Sequence, residues 1–266
     1  MESIALLGHL SDQALLLGLS TTRIAVAFLL LPLFTGDLIP ATLRNAIYVA
    51  FGVLALALQP AATHAQVMGL NWLLLFAKEA FIGGGLGFLF GSVLWAFEAA
   101  GQLIDTKVGA TTAQVTDPLS GQQTPLTGAF LGRLANFIFM FSGGLLLLMG
   151  LLLDSYAVWP VLAAKPVLSL AGVTLFEAEF GRLMLLALLI AAPSLVVLFA
   201  IDSVLGLVNR YAQQLNVFSL SMSLKTWAST AVLMVMMASM VDQLILDIQS
   251  RPGIVMHLMR SLLGTP

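Results

Sequence analysis

The chain has 266 residues, of which 59% are hydrophobic and only 9% charged, with a formal net charge of -2 and a mean hydropathy of +1.01. Soluble domains carry roughly 25% charged residues, so this balance excludes a water-soluble globule and leaves a membrane protein. No charge run resembles a nucleic-acid footprint, and a cysteine count of zero excludes disulfides and thiolate metal sites.

Apolar runs over 13–34, 80–100, 126–153, 182–201 and 226–246 each reach or approach the ~20 residues that cross a bilayer as a helix. None shows the ~10-residue alternating segments of a closed barrel. The fold class is therefore all-α, a polytopic membrane protein, read as a single integral membrane domain over 1–266. The first helix is predicted over 13–33. No positive side chain precedes Arg23, so the charged leader of a cleavable signal is missing and this run is expected to stay in the product. Proline at 32 and 40, with Gly36 between, breaks the chain before a second helix over 43–58.

Apolar sequence from 67 to 100, interrupted by Lys78 and Glu79, is long enough for one tilted helix or two broken ones. Within it Gly83, Gly87 and Gly91 recur every four residues, on one helix face, where another backbone can approach closely. Gly128 and Gly132 repeat the spacing in a helix predicted over 126–153. A less regular apolar segment over 158–175, a helix over 180–207 and a last helix over 226–248 complete the pass. The stretch from Met234 to Met240 reads as adaptable packing. Basic residues do not orient the last helix, since Arg210 and Lys225 before it are matched by Arg251 and Arg260 after it.

Two polar tracts interrupt this pattern. At the entry to the first, over 101–125, Glu98, Gln102 and Asp105 fall at i, i+4 and i+7 on one face of a helix leaving the apolar run. Gly109, Thr112 and Thr116 continue that stripe if the helix persists, and Asp117 and Pro118 end it. The tract is a solvated loop or an element facing a wet interior. Its length, and carboxylates spread among neutral hydrogen-bonding groups, suit the second. Arg133, seven residues into the next helix, is expected to pair with Glu98 or Asp105 across a hairpin. The second tract, over 208–225, is a surface loop or a contact surface inside a larger complex, with Asn209, Arg210, Gln214, Asn216, Phe218 and Lys225 as its contact residues.

Catalytic motifs are missing. There is no HExxH pair, GxSxG elbow or phosphate loop, and His9, His64 and His257 are too scattered for a metal site. Glu98 and Asp105 have no nucleophile beside them. An enzyme is disfavoured, and no cofactor or metal is expected.

The tracts "EAAGQLIDTKVGATTAQVTDPLSGQQTPLTGAFL" and "GLVNRYAQQLNVFSLSMSLK" resemble the signature segments of the SctT/FliR family of type III secretion export-gate subunits. "RIAVAFLLLPLFTGDLIPATLRNAI" is similar to that family's opening helix and proline turn. Leu145 and Leu146 follow Gly143 and Gly144 where the flagellar branch commonly has paired histidines, so the likeness leans to the virulence injectisome branch. Gln213 and Ser223 stand where the family commonly has proline, which implies more helical backbone there.

The resemblance implies a non-enzymatic subunit built of helical hairpins. One copy would join SctR-type and SctS-type partners, with SctU-type and SctV-type components nearby, in a helically arranged, cone-shaped gate. That gate would sit in the bacterial inner membrane, partly projecting toward the periplasm, in contact with lipid and with unfolded secreted proteins. It implies further that the segment from Val108 through Val115 to Gly121 plugs the channel. The alternative is an ion-coupled secondary transporter of a small solute with Glu98 and Asp105 as ligands, although the two halves of the chain show no convincing repeat.

Overall fold

A computed structural model describes residues 2–33, 39–58, 71–109, 125–162, 170–211 and 217–263. Every regular element among them is a helix: α1 (Glu2–Leu29), α2 (Ala41–Ala57), α3 (Trp72–Val108), α4 (Leu126–Phe141), α5 (Gly144–Val158), α6 (Leu170–Tyr211) and α7 (Val217–Leu263). Four are long and apolar enough to cross a membrane, and α4 with α5 passes the same test as a broken span. The all-α, polytopic expectation holds.

The structure decides one boundary the sequence left open and moves three others. The apolar run interrupted by Lys78 and Glu79, open to one helix or two, is the single helix α3, and both charged side chains are buried and paired within the protein. Conversely, the run over 126–153 is two helices. Gly143 adopts φ 81, a left-handed conformation open to glycine, and it ends α4 after Ser142 and starts α5 at Gly144. The last helix begins at Val217 and runs past Pro252 to Leu263, so Val217–Lys225 of the second polar tract is helical. Residues 170–175, assigned to a separate apolar segment, form the start of α6.

The chain divides into two compact units. The first comprises residues 1–91, 143–177 and 250–266. In it α1 and α2 run antiparallel. The Ser20 hydroxyl donates to the Gly52 carbonyl at 3.0 Å, and the rings of Phe28 and Tyr48 lie 5.6 Å apart. The first half of α3 runs in the same direction as α1 and nearly touches it: a Cβ on Gly83 would sit 2.1 Å from the Arg23 carbonyl oxygen, and one on Gly87 would sit 2.8 Å from the Ala27 Cα. Small residues substitute for a hydrophobic drive that lipid cannot supply. Gly91, next in the row, is buried.

The second unit comprises residues 92–142 and 178–249. Here the second half of α3 and α4 form an antiparallel hairpin that packs glycine on glycine: a Cβ on Gly101 would meet the Gly128 Cα at 2.6 Å. The other pair, α6 and α7, is antiparallel too, tied by Arg182–Asp247 at one end and Asp202–Lys225 at the other. Twenty residues separate Arg182 from Asp202, about 30 Å of helix, which is the hydrocarbon thickness of a bilayer. Between them the exposed side chains of α6, such as Leu185, Leu188, Leu189, Val196 and Phe199, carry no charge.

Candidate functional site

Two polar clusters stand out from the apolar body, one in each unit. The first unites α1, α3 and the end of α5. Arg23 and Glu79, both 0% exposed, form a two-pronged ion pair: Nε donates to Oε2 at 2.7 Å and Nη2 to Oε1 at 3.1 Å. The remaining guanidinium donors reach the Ser155 hydroxyl at 2.8 Å and the Trp159 carbonyl at 2.8 Å. The Ser155 hydroxyl itself donates to the Leu152 carbonyl at 2.6 Å, and the Tyr156 ring lies 3.9 Å from the Arg23 Cζ. Tyr156 in turn donates to the Ser20 carbonyl at 2.5 Å.

Lys78 adds a second cation. Its Nζ lies 2.8 Å from Glu79 Oε1 and donates to the carbonyls of Pro160 at 2.9 Å and Val161 at 2.8 Å. Two cations thus share one carboxylate. The balance comes from the end of α5, where the last carbonyls of a helix have no intrahelical partner and carry the negative end of its dipole. Trp159, the C-cap residue of α5, presents its carbonyl to Arg23, and Pro160 and Val161, which follow the helix, present theirs to Lys78, so the chain leaving α5 is held by side chains from two other helices. Such a cluster is costly to bury and fixes register. Positive residues inside apolar runs were the available signal in the sequence, but nothing local reveals that positions 56 apart meet.

The second cluster lies at the base of the first polar tract. Glu98, Gln102 and Asp105 all fall within α3, which ends at Gly109 with φ 86. Asp105 is 4% exposed, and its Oδ2 accepts from the backbone N–H of Gly128 at 3.0 Å. That N–H is an orphan donor in the first turn of α4, whose N-cap is Pro125 and has no side-chain acceptor to offer. Asp105 supplies the cap from a different helix, with its charge at the positive end of the dipole. Gln102 donates to Glu98 at 3.2 Å, and a Cβ on Gly132 would sit 3.4 Å from the Glu98 side chain.

The ion pair expected for Arg133 is not among the described residues. Gly132 faces Glu98, and the next residue points ~100° around the helix, so Arg133 is turned away from Glu98 and is exposed. Val108 is buried at the end of α3. Thr112, Val115, Thr116, Asp117, Pro118 and Gly121 lie outside the described residues, as do Gln214 and Asn216. Asn209 and Arg210 are exposed at the end of α6. Phe218 lies in the first turn of α7, while Lys225 is engaged with Asp202. Among the described residues no group of three or more metal-ligating side chains is gathered.

Asp105→Ala should destabilise the hairpin by about 1–2 kcal/mol, the usual cost of losing an N-terminal cap. Limited proteolysis within 110–124 would report it, with faster cleavage expected for the variant. An unchanged rate would show that α4 starts without help from α3.

Residues 14–250 match the family model described as bacterial export proteins, family 1. Yop proteins translocation protein T of Yersinia pestis is 33% identical over 217 residues, covering 80% of this chain and 82% of the relative. Secretion system apparatus protein SsaT of Salmonella typhimurium is 33% identical over 213 residues, covering 76% and 82% respectively. Flagellar biosynthetic protein FliR of Bacillus subtilis is 30% identical over 217 residues, covering 81% and 83%.

Proposed function

The chain belongs to the bacterial export proteins of family 1, the SctT/FliR family, and from that membership we propose that it is a non-enzymatic subunit of a type III secretion export gate. With SctR-type and SctS-type partners it forms the channel through which unfolded proteins cross the bacterial inner membrane, SctU-type and SctV-type components lying close by. The injectisome branch is favoured by Leu145 and Leu146 after Gly143 and Gly144. The segment over 108–121 closes the channel at rest.

The observation that carries the plug reading is the clamp at that segment's base. Asp105 on α3 caps the first turn of α4, and Gly101 meets Gly128 backbone to backbone, so the polar tract leaves and returns at one fixed place. A segment with both ends pinned and a sequence of Thr, Gln, Asp and Gly is suited to fill a wet passage and yield without dragging the helices at its ends. The carboxylate of Asp105 serves as a helix cap, a use different from that of a coupling-ion ligand in a small-solute transporter.

Deleting residues 112–119 from the assembled complex tests the plug. The deletion removes no residue of the clamp, so assembly should persist while ion leakage through the inner membrane rises severalfold, read as growth inhibition and as conductance in planar bilayers. Wild-type leakage in a correctly assembled complex would refute the plug.

A further inference from the structure

We propose that the exposed face of α4 centred on Arg133 docks an apolar helix of a neighbouring subunit that carries an Asp or Glu at the same depth. The inference rests on reading the chain as one subunit of an assembly, and it assigns that assembly a particular contact.

Helix α4 has two apolar faces. Gly128, Leu131, Gly132, Ala135 and Ile138 lie on its buried face, which packs on α3 through Gly128 and Gly132. The other face, spaced four and three residues apart, is Leu126, Phe130, Arg133, Phe137 and Phe141. All are exposed, Phe137 at 58% and Phe141 at 78%, and the rings of these two stack 4.3 Å apart. A guanidinium therefore sits in the middle of an aromatic stripe.

That stripe does not suit lipid. An ionised side chain in a spanning helix is expensive unless it faces protein or water and finds a counter-charge. Arg133 has no ion pair among the described residues, and the two carboxylates on the nearest helix are turned to Gln102 and to the Gly128 N–H. The exposed stripe of α6 offers the contrast. It is aliphatic for the most part and uncharged from Leu183 to Ile201.

Phenylalanine, methionine and arginine are the residue types enriched in the cores of protein interfaces, where buried Arg and aromatic anchors carry most of the binding energy. Met140 adds to the same side. A guanidinium selects a carboxylate by its planar, two-pronged geometry, as Arg23 does with Glu79 inside this chain. The complementary surface is accordingly an apolar helix with a single acidic side chain.

The test places Arg133→Glu, Arg133→Leu and Arg133→Lys in the full chain, co-expressed with the other gate subunits, and measures how much of each subunit co-elutes. Charge reversal should lower co-elution by about tenfold or more. The Leu variant should lose less, and the Lys variant should stay near wild type. Melting of the isolated chain in detergent should be unchanged in all three, because the side chain is exposed. An Asp→Arg or Glu→Arg change in one partner helix, selected in the Arg133→Glu background, should restore co-elution.

If wild type and Arg133→Glu hold their partners equally, the docking site is wrong while the subunit reading stands. If wild type holds none, the subunit reading itself fails and takes this proposal with it. A phosphate in a lipid headgroup is the competing anion. Reconstituting the isolated chain into phosphatidylcholine vesicles with and without phosphatidylglycerol separates it: incorporation that depends on phosphatidylglycerol in wild type but not in Arg133→Glu would assign the site to lipid and overturn the proposal.

Discussion

Replacing Glu79 by Met should destabilise the first unit by about 3–5 kcal/mol, enough to remove the protein from the membrane fraction, because it leaves buried cations without a carboxylate. Glu79 is completely buried, and both Arg23 and Lys78 lie within ion-pair distance of it. The three charges are not equivalent. Arg23→Met leaves Glu79 still paired with Lys78, and the orphaned Ser155 and Trp159 acceptors are the main loss. Glu79→Met leaves two cations near each other with carbonyls, the Ser155 hydroxyl and the Tyr156 ring around them, but without the carboxylate they share. The arginine change is therefore expected to be the milder one.

The double change Arg23→Met with Glu79→Met should cost less than the sum of its parts, since a buried ion pair replaced by apolar residues of similar size is often close to neutral. Thermal unfolding of the four proteins in one detergent reads the cycle. Equal losses for the two single variants, adding in the double, would mean that the charges do not act as a unit.

How much of this was legible in the sequence depends on the range of the interaction. Apolar runs longer than a bilayer is thick announce helices, and α3, α6 and α7 lie where those runs lie. The Gly143 break was hidden because glycine in an apolar run reads as a packing residue, and only its left-handed φ shows that it ends α4. The stripe of Glu98, Gln102 and Asp105 followed from helical spacing and does occupy α3. Its partners did not follow, since the acceptor role of Asp105 depends on a backbone N–H 23 residues away. The pairing expected for Arg133 failed by a single residue of rotation: hairpin register brings Gly132, not Arg133, against Glu98.

Four-residue glycine spacing predicts a close helix contact, but which glycine is indispensable is a matter of rotation about α3, and the sharpest expectation concerns Gly83 against its neighbour. Gly83→Ala should be severely destabilising, by about 3–5 kcal/mol, because its methyl would lie 2.1 Å from the Arg23 carbonyl oxygen and 3.0 Å from the Arg23 Cα. The obstacle is backbone, so no rotamer relieves it and α1 must move outward by about 1 Å to restore ordinary contact. The residue displaced is the one whose guanidinium grips Glu79, with bonds of 2.7 and 3.1 Å that such a shift breaks. The damage therefore compounds a packing clash with a disrupted buried ion pair. Gly84→Ala is the control. Its methyl would meet only Val26 and Leu30 side-chain carbons at 3.7 and 3.8 Å, ordinary van der Waals contact, and alanine is the better helix former. Measured side by side in detergent, the first variant should unfold about 6–20 °C lower while the second stays at or above wild type. Similar melting temperatures for the two would mean that α1 and α3 do not meet at Gly83.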